Sequence, residues 1–405
     1  MKSTVNRQHP TSGPATSPAG GTGRRRRGRR GSLAAAAAAW VALVAAGVAP
    51  ASAAASASVA SRPSAAVNAA APTRVAAGLR VRSIPISFTV RNVNRSRVAC
   101  ASDGKTYTVR GHLVAPAGGL RGGATRTATL YLHGLGFGEF FWDFTAVGGY
   151  DYAAAQARAG QVSVVVDRLG YGASSKPDGN AICVGSRADI AHQMVTDLRS
   201  GHYTLGGRAP VRFGRVVLAG HSYGAQIAQV EAYSFGDING LVLIGYADRV
   251  QSLAAQISLA YANLTCAAGG RRVTAHGPRH YTSFGFPPAA PQALFADVGE
   301  GVLRAALPRL SIDPCGDDAS FAEAVPVDLR NLRRVHVPVL IVEGAADALF
   351  PPPAARNQAA LFTGARSVST TVVPRAGHAI TLERHHRVLE RAVRLFLRTR
   401  ITNRQ

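Results

Sequence analysis

Nine residues constrain this chain more than any others: Val216-Val217-Leu218-Ala219-Gly220-His221-Ser222-Tyr223-Gly224. The apolar run reads as a buried strand. It breaks into Gly-x-Ser-x-Gly, and residues 225–230 continue with helical character. Strand, sharp turn and helix together form the context in which this pattern presents a serine. The turn brings chain segments close together, so Gly220 and Gly224 stand where a side chain would clash. Ser222 is thereby expected at the top of a sheet, at the start of a helix.

A serine hydroxyl is a poor nucleophile near neutral pH; it needs a base, and the base an orienting acid. Downstream histidines are His276, His280, His336, His378, His385 and His386. His378 follows an expected strand over residues 369–373, in Pro374-Arg375-Ala376-Gly377-His378. That is a loop at a strand's carboxyl end, where ligands meet an open α/β sheet. His276 and His280 fall in an insertion, His336 precedes a strand, and His385 and His386 read as surface residues at the start of the closing helix. For the acid, Asp347 follows the strand at 339–343 in Gly344-Ala345-Ala346-Asp347, with Asp248 as its rival and Glu343 as a structural residue. An oxyanion needs donors aimed at it. The amides of Tyr223, after the nucleophile, and Leu135, in the loop after the first central strand, are expected to supply them, with His133 bracing that loop. Phe137, Phe141 and Trp142 follow directly and are assigned to an apolar acyl pocket, the alternative being core.

The rest of the chain alternates strands and helices. Residues 85–93 and 106–115 alternate apolar and polar around Asp103-Gly104, as an antiparallel hairpin does. Buried strands are expected at 128–132, 162–166, 241–244 and 337–344, with helices at 151–159, 187–203 and 386–398. This rhythm indicates βαβ units and a mostly parallel sheet. It stops at about residue 248 and returns at 337, so residues 248–336 read as a mainly helical insertion between core segments 81–247 and 337–400.

Lys and Arg total 46 against 22 Asp and Glu, a formal charge of +24 over 405 residues. Eight of the basic residues fall in residues 1–53, which hold no acid. The others are mostly single arginines without interleaved aromatics, so a solvated basic surface is expected and nucleic acid is not a partner. Arg24 to Arg30, an apolar stretch over 33–49 and Ala51-Ser52-Ala53 form an export signal, with twin-arginine character at Arg29-Arg30. The apolar stretch is too short for a span, so no lasting membrane anchor is expected. Residues 54–80 read as a linker. An exported chain with four cysteines is expected to form two disulfides. Chain order favours Cys100–Cys183 in the core and Cys266–Cys315 in the insertion. No Cys-x-x-Cys spacing exists, and neither metal nor organic cofactor is expected.

Taken in order, His133-Gly134, Asp167-Arg168-x-Gly170-x-Gly172-x-Ser174, Gly220-His221-Ser222-Tyr223-Gly224, Gly344-x-x-Asp347 and Gly377-His378 resemble the α/β-hydrolase fold superfamily over about residues 84–400. The resemblance implies an eight-stranded, mostly parallel sheet with a helical lid inserted after the sixth strand. It also implies Ser222 as nucleophile, His378 as base and Asp347 as acid. The oxyanion loop lacks the Gly-Gly-x-Pro-Gly of the family's proline-type peptidases. The expectation is therefore an exported, secreted serine hydrolase of carboxylic esters or lipids. Amide, lactone or peroxyacid chemistry at the same triad, or a non-catalytic exported binding protein, are the alternatives.

Overall fold

The computed structural model describes residues 79–118, 120, 126–249, 251–284 and 293–402. The export signal and nearly all of the linker lie outside the described residues. Among those described, no helix is long and apolar enough to cross a membrane.

The hairpin forms as strands β1 (Val81–Arg91) and β2 (Thr106–Pro116), paired antiparallel from Val81↔Pro116 to Arg91↔Thr106. It is followed by β3 (Thr127–Leu132), helix α1 (Tyr152–Arg158), β4 (Ser163–Asp167) and α2 (Val184–Ser200). Then come β5 (Thr204–Leu205), β6 (Arg215–His221), α3 (Tyr223–Ser234) and β7 (Gly240–Ile244). The segment after β7 holds α4 (Leu253–Ala267), α5 (Glu300–Ala306), α6 (Cys315–Asn331) and a small antiparallel ladder of β8 (Tyr281–Thr282) with β9 (Asp313–Pro314). The chain closes with β10 (Pro338–Gly344), α7 (Ala354–Ala359), β11 (Ser367–Val373) and α8 (Arg387–Phe396).

The main sheet runs β11-β10-β7-β6-β3-β4-β2-β1-β5. Pairing is parallel from β11 through to β4 and antiparallel beyond it. The six strands β3, β4, β6, β7, β10 and β11 form the parallel part. Their continuous Val, Leu and Ile runs reflect burial on both faces; β4, β7 and β10 are buried at every position. Only β11, at the edge, alternates half-buried and exposed. Helix α1 packs with α8, and α2 with α3.

Three expectations need adjustment. The sheet has nine strands, because the two-residue β5 pairs with β1; a strand so short leaves no periodic signal. Helix α2 starts at Val184 and stops at Ser200, because Gly201 takes the left-handed C-cap conformation at φ 82°. Helix α1 begins one residue late because Asp151 is its N-cap, accepting from Ala154 N at 2.8 Å.

Two disulfides are present. Cys100–Cys183 ties the loop after β1 to the N-cap of α2, and Cys266–Cys315 ties α4 to the start of α6. The first closes 83 residues of chain. Replacing both Cys100 and Cys183 with Ala should therefore lower stability by about 2–4 kcal/mol in urea unfolding.

Candidate active site

Strand β6 delivers Ser222 into a strained conformation, φ 53° and ψ −122°. Such a backbone costs a non-glycine residue about 1–3 kcal/mol and persists only where the surroundings impose it. Here they do. A Cβ on Gly220 would stand 2.1 Å from the carbonyl oxygen of Gly224, and one on Gly224 would stand 2.3 Å from that of Leu132. The two glycines let β6, α3 and the end of β3 meet at the turn. The amide of Ser222 donates to Ile244 O at 2.8 Å, fastening the turn to β7. Tyr223 is the first residue of α3, so its N–H has no partner within the helix.

His378 and Asp347 come from the neighbouring strand ends. Asp347 follows β10 through Gly344, and His378 follows β11. The His378 Nδ1 to Asp347 Oδ2 distance is 2.8 Å, with both side chains buried. The other carboxylate oxygen of Asp347 accepts the amides of Leu349 and Phe350 at 2.8 and 3.0 Å. With Nδ1–H donating to Asp347, Nε2 of His378 keeps its lone pair. His221, next to Ser222, bonds through Nε2 to the carbonyl of His378 at 3.0 Å, and the two rings lie 4.7 Å apart. Burial holds the His221 imidazole well below its ordinary pKa, so it is neutral and its Nε2–H donates to that carbonyl. His378 is thereby drawn alongside the turn that carries Ser222. Gly245, at φ 59°, leaves room for it: a Cβ there would approach His378 Nδ1 to 3.3 Å.

The loop after β3 lies against this turn. A Cβ on Gly134 would stand 2.9 Å from Ser222 Cβ. His133 braces the loop: its Nε2 accepts the amide of Arg168 at 3.1 Å, so its Nδ1–H donates to Gly134 O at 2.9 Å. Arg168 adds a second bond to Gly134 O at 3.2 Å. Arg168 is itself buried, stacked on Tyr171 and Tyr223 and paired with Asp317 at 3.2 Å. Asp317 also takes two bonds from buried Arg187, at 2.9 and 2.7 Å. Asp313 accepts the amide of Gly136 at 2.7 Å and the hydroxyl of Tyr171 at 2.8 Å. Burial pushes Asp313 up to about 6 despite these donors. Asp318 has no side-chain partner among the described residues; burial, then Asp313, push it well above the usual carboxylate range.

The aromatic residues assigned to an acyl pocket, with core as the alternative, pack among buried side chains. Phe137, Phe141 and Trp142 are fully buried. Phe141 stacks on His221 at 4.1 Å, Phe137 meets both, and Trp142 packs on Tyr131 and Tyr152. Phe137 and Phe141 hold the His221 ring in place, and Trp142 backs Phe141. The ring stacked on His378 is Phe350. Asp248 is turned away, engaged by Gln229, Tyr246 and Gln358. His280 pairs with Asp178, and His336 with Gly364 O. His386, expected at the surface, is buried between Tyr150 and Glu390. Two groups among the described residues, His112–Glu139–Asp143 and His192–Glu231–Asp237, bring an imidazole and two carboxylates within 4.8 Å. Neither includes Ser222, Asp347 or His378.

Sequence reasoning missed the network of Arg168, Arg187, Asp313 and Asp317. Its one visible signal was Arg168 in the loop motif after β4. It read Glu343 as a structural residue. Buried in β10, Glu343 is pushed up to about 9, first by burial and then by the charge of nearby Asp347, and neither of its carboxyl oxygens has a hydrogen-bond partner among the described residues. A carboxyl whose folded pKa is raised keeps its proton in the native state while the unfolded chain has lost it. Its contribution to stability therefore declines as pH rises from about 4.5 to about 9. Glu343→Gln, which carries a neutral donor at every pH, should flatten that decline. Urea midpoints at pH 6 and pH 9 should fall more in the wild type than in the variant.

The chain matches other proteins at the level of its fold. Residues 130–391 match the model of the alpha/beta hydrolase family. A thermophilic esterase from Thermogutta terrifontis is similar at TM-score 0.52 and 21% identity, over 77% of this chain and 98% of the esterase. Rv0554 from Mycobacterium tuberculosis is similar at TM-score 0.52 and 18% identity, over 75% of this chain and 98% of its own. No curated protein matches the sequence. With the family model spanning the sheet from β3 to the closing helix, the chain belongs to the alpha/beta hydrolase family.

Proposed function

We propose that the protein is an exported serine hydrolase that cleaves carboxylic esters with an apolar acyl or alcohol part. The observation that carries this reading is the His378–Asp347 bond of 2.8 Å, tied through His221 to the turn that holds Ser222 at positive φ. A serine in an ordinary turn has no need of either.

In this reading Ser222 Oγ attacks the ester carbonyl carbon while His378 Nε2 takes its proton. The carbonyl oxygen becomes an oxyanion and is held by the amides of Tyr223 and Leu135. The imidazolium is stabilised by Asp347, whose side chain is held in place by two backbone amides. The tetrahedral species collapses as Nε2 returns the proton to the leaving alcohol. Water, deprotonated by the same nitrogen, then releases the acid and frees Ser222. An ester with an apolar part is favoured because one side of the imidazole is aromatic: Phe350 stacks on it, and Tyr246 packs on Phe350 and on Phe321 of α6.

Residues 248–336 act as the lid. Ser222 is only 8% exposed, and Phe321 from α6 lies against Tyr223. Residues 1–53 act as an export signal, consistent with two disulfides in the chain beyond them.

The triad should behave as a unit. Ser222→Ala should lower kcat on p-nitrophenyl butyrate by about 10⁴- to 10⁶-fold, and adding His378→Ala to it should cost nothing more. A Ser222→Ala protein that keeps its rate, or losses that multiply, would contradict the assignment. Comparing p-nitrophenyl esters of two to sixteen acyl carbons then locates the preferred chain length.

A further inference from the structure

Three successive peptide planes make up the loop that faces Ser222, and each is held from outside. The Gly134 carbonyl is bonded by His133 and Arg168. The Gly136 amide, in the next plane, donates to Asp313 at 2.7 Å. The Gly136 carbonyl accepts the amide of Ser311 at 2.8 Å. Because a trans peptide is planar, its N–H points opposite to its C=O. Anchoring Gly134 O on the far side therefore turns the Leu135 N–H the other way, and that N–H has no acceptor among the described residues. Gly136 adopts φ 72°, so the loop could take other shapes if released.

Two of these anchors, Asp313 and Ser311, belong to the segment between β7 and β10, not to the sheet domain. Of the other two, His133 and Arg168, Arg168 is paired with Asp317 of the same segment. We infer that Asp313 is a positioning residue: it reaches from the inserted segment into the core and fixes the loop so that the Leu135 amide faces the reacting carbonyl oxygen. The inference rests on the serine-hydrolase reading and deepens it.

The surroundings suit that task. Asp313 is fully buried, and its second carboxylate oxygen accepts the amide of Phe284 at 3.1 Å, so neither oxygen is free to swing away. Its backbone is in the β8–β9 ladder. Cys315, two residues on, is bonded to Cys266 at the end of α4. The charged groups around it are Arg168, Asp317 and Asp318, with the Tyr171 hydroxyl between. The lid in this arrangement does more than cover the site. It completes the site, and swinging away as a rigid flap would break the bonds to Gly136.

The test compares wild type, Asp313→Ala and Asp313→Asn on p-nitrophenyl butyrate, with butylboronic acid as a probe of the tetrahedral state. A boronate accepts the serine oxygen and places its own oxygen where the oxyanion forms, so its affinity reports the donors. Asp313→Ala should lower kcat about 10- to 100-fold, as a donor misplaced by about 1 Å does. KM should stay within about threefold, and boronate affinity should fall with kcat/KM. Asp313→Asn keeps an acceptor for the Gly136 amide and should recover most of both. If Asp313→Ala does not fold, Tyr171→Phe, which removes the hydroxyl bonded to Asp313, carries the test, with kcat and boronate affinity falling together. A kcat loss under about threefold, or a loss with unchanged boronate affinity, overturns the inference. A wild type that boronate does not inhibit overturns the serine-hydrolase reading itself, and the inference falls with it.

Discussion

The backbone at Ser222 is the constraint on which the rest of the structure depends. An L-residue at φ 53° is held against its own preference, and only the sheet around it supplies the force. Strand β6 lies between β3 and β7, bonded to both along its length. Helix α3 starts immediately, so its first turn must cross the end of β3 at a distance no Cβ permits. The glycines on either side of the serine are therefore a packing requirement of the sheet, and the position of the hydroxyl at the turn is a consequence of it. The same geometry leaves the Tyr223 amide at the positive end of a helix.

Around that turn the protein buries an unusual amount of polar chemistry. Arg168, Arg187, Asp313 and Asp317 are all nearly or wholly buried. Removing one partner from such a group strands a charge and costs far more than the pair is worth in stability. The network is better understood as a device for fixing orientation. It joins the loop after β3, the loop after β4, helix α2 and the inserted segment at one point. His221 performs a parallel task on the other side, with Phe141 behind it and the His378 carbonyl ahead. Both sets act on backbone groups, which is how a distant side chain can set the direction of an amide or an imidazole.

The fold and the central residues were legible in the sequence because they follow local rules. Continuous apolar runs mark strands buried on both faces, and the glycines at 220 and 224 mark a close crossing. His378 and Asp347 could be singled out because each stands just past a strand end. What escaped does not follow such rules. The strand at Thr204–Leu205 is two residues long, and the end of α2 was set by Gly201 alone. Phe137, Phe141 and Trp142 carry the same composition whether they line a cavity or fill a core, and only packing separates the two. Asp313 lies in a stretch without periodicity. Its partner Gly136 is 177 residues away, so nothing in its neighbourhood announces the bond. His386 read as a surface residue because its partner Glu390 is visible only once the helix is built against Tyr150.

The central claim is that Ser222 is made reactive by His378 and Asp347. Covalent labelling tests it most directly: the protein is treated with a fluorophosphonate, digested, and mapped by mass spectrometry. A single adduct on Ser222, formed at a rate that collapses in His378→Ala and Asp347→Ala, is the predicted result. A folded protein that stays unlabelled, or one labelled at Ser222 equally fast without the imidazole, contradicts the account.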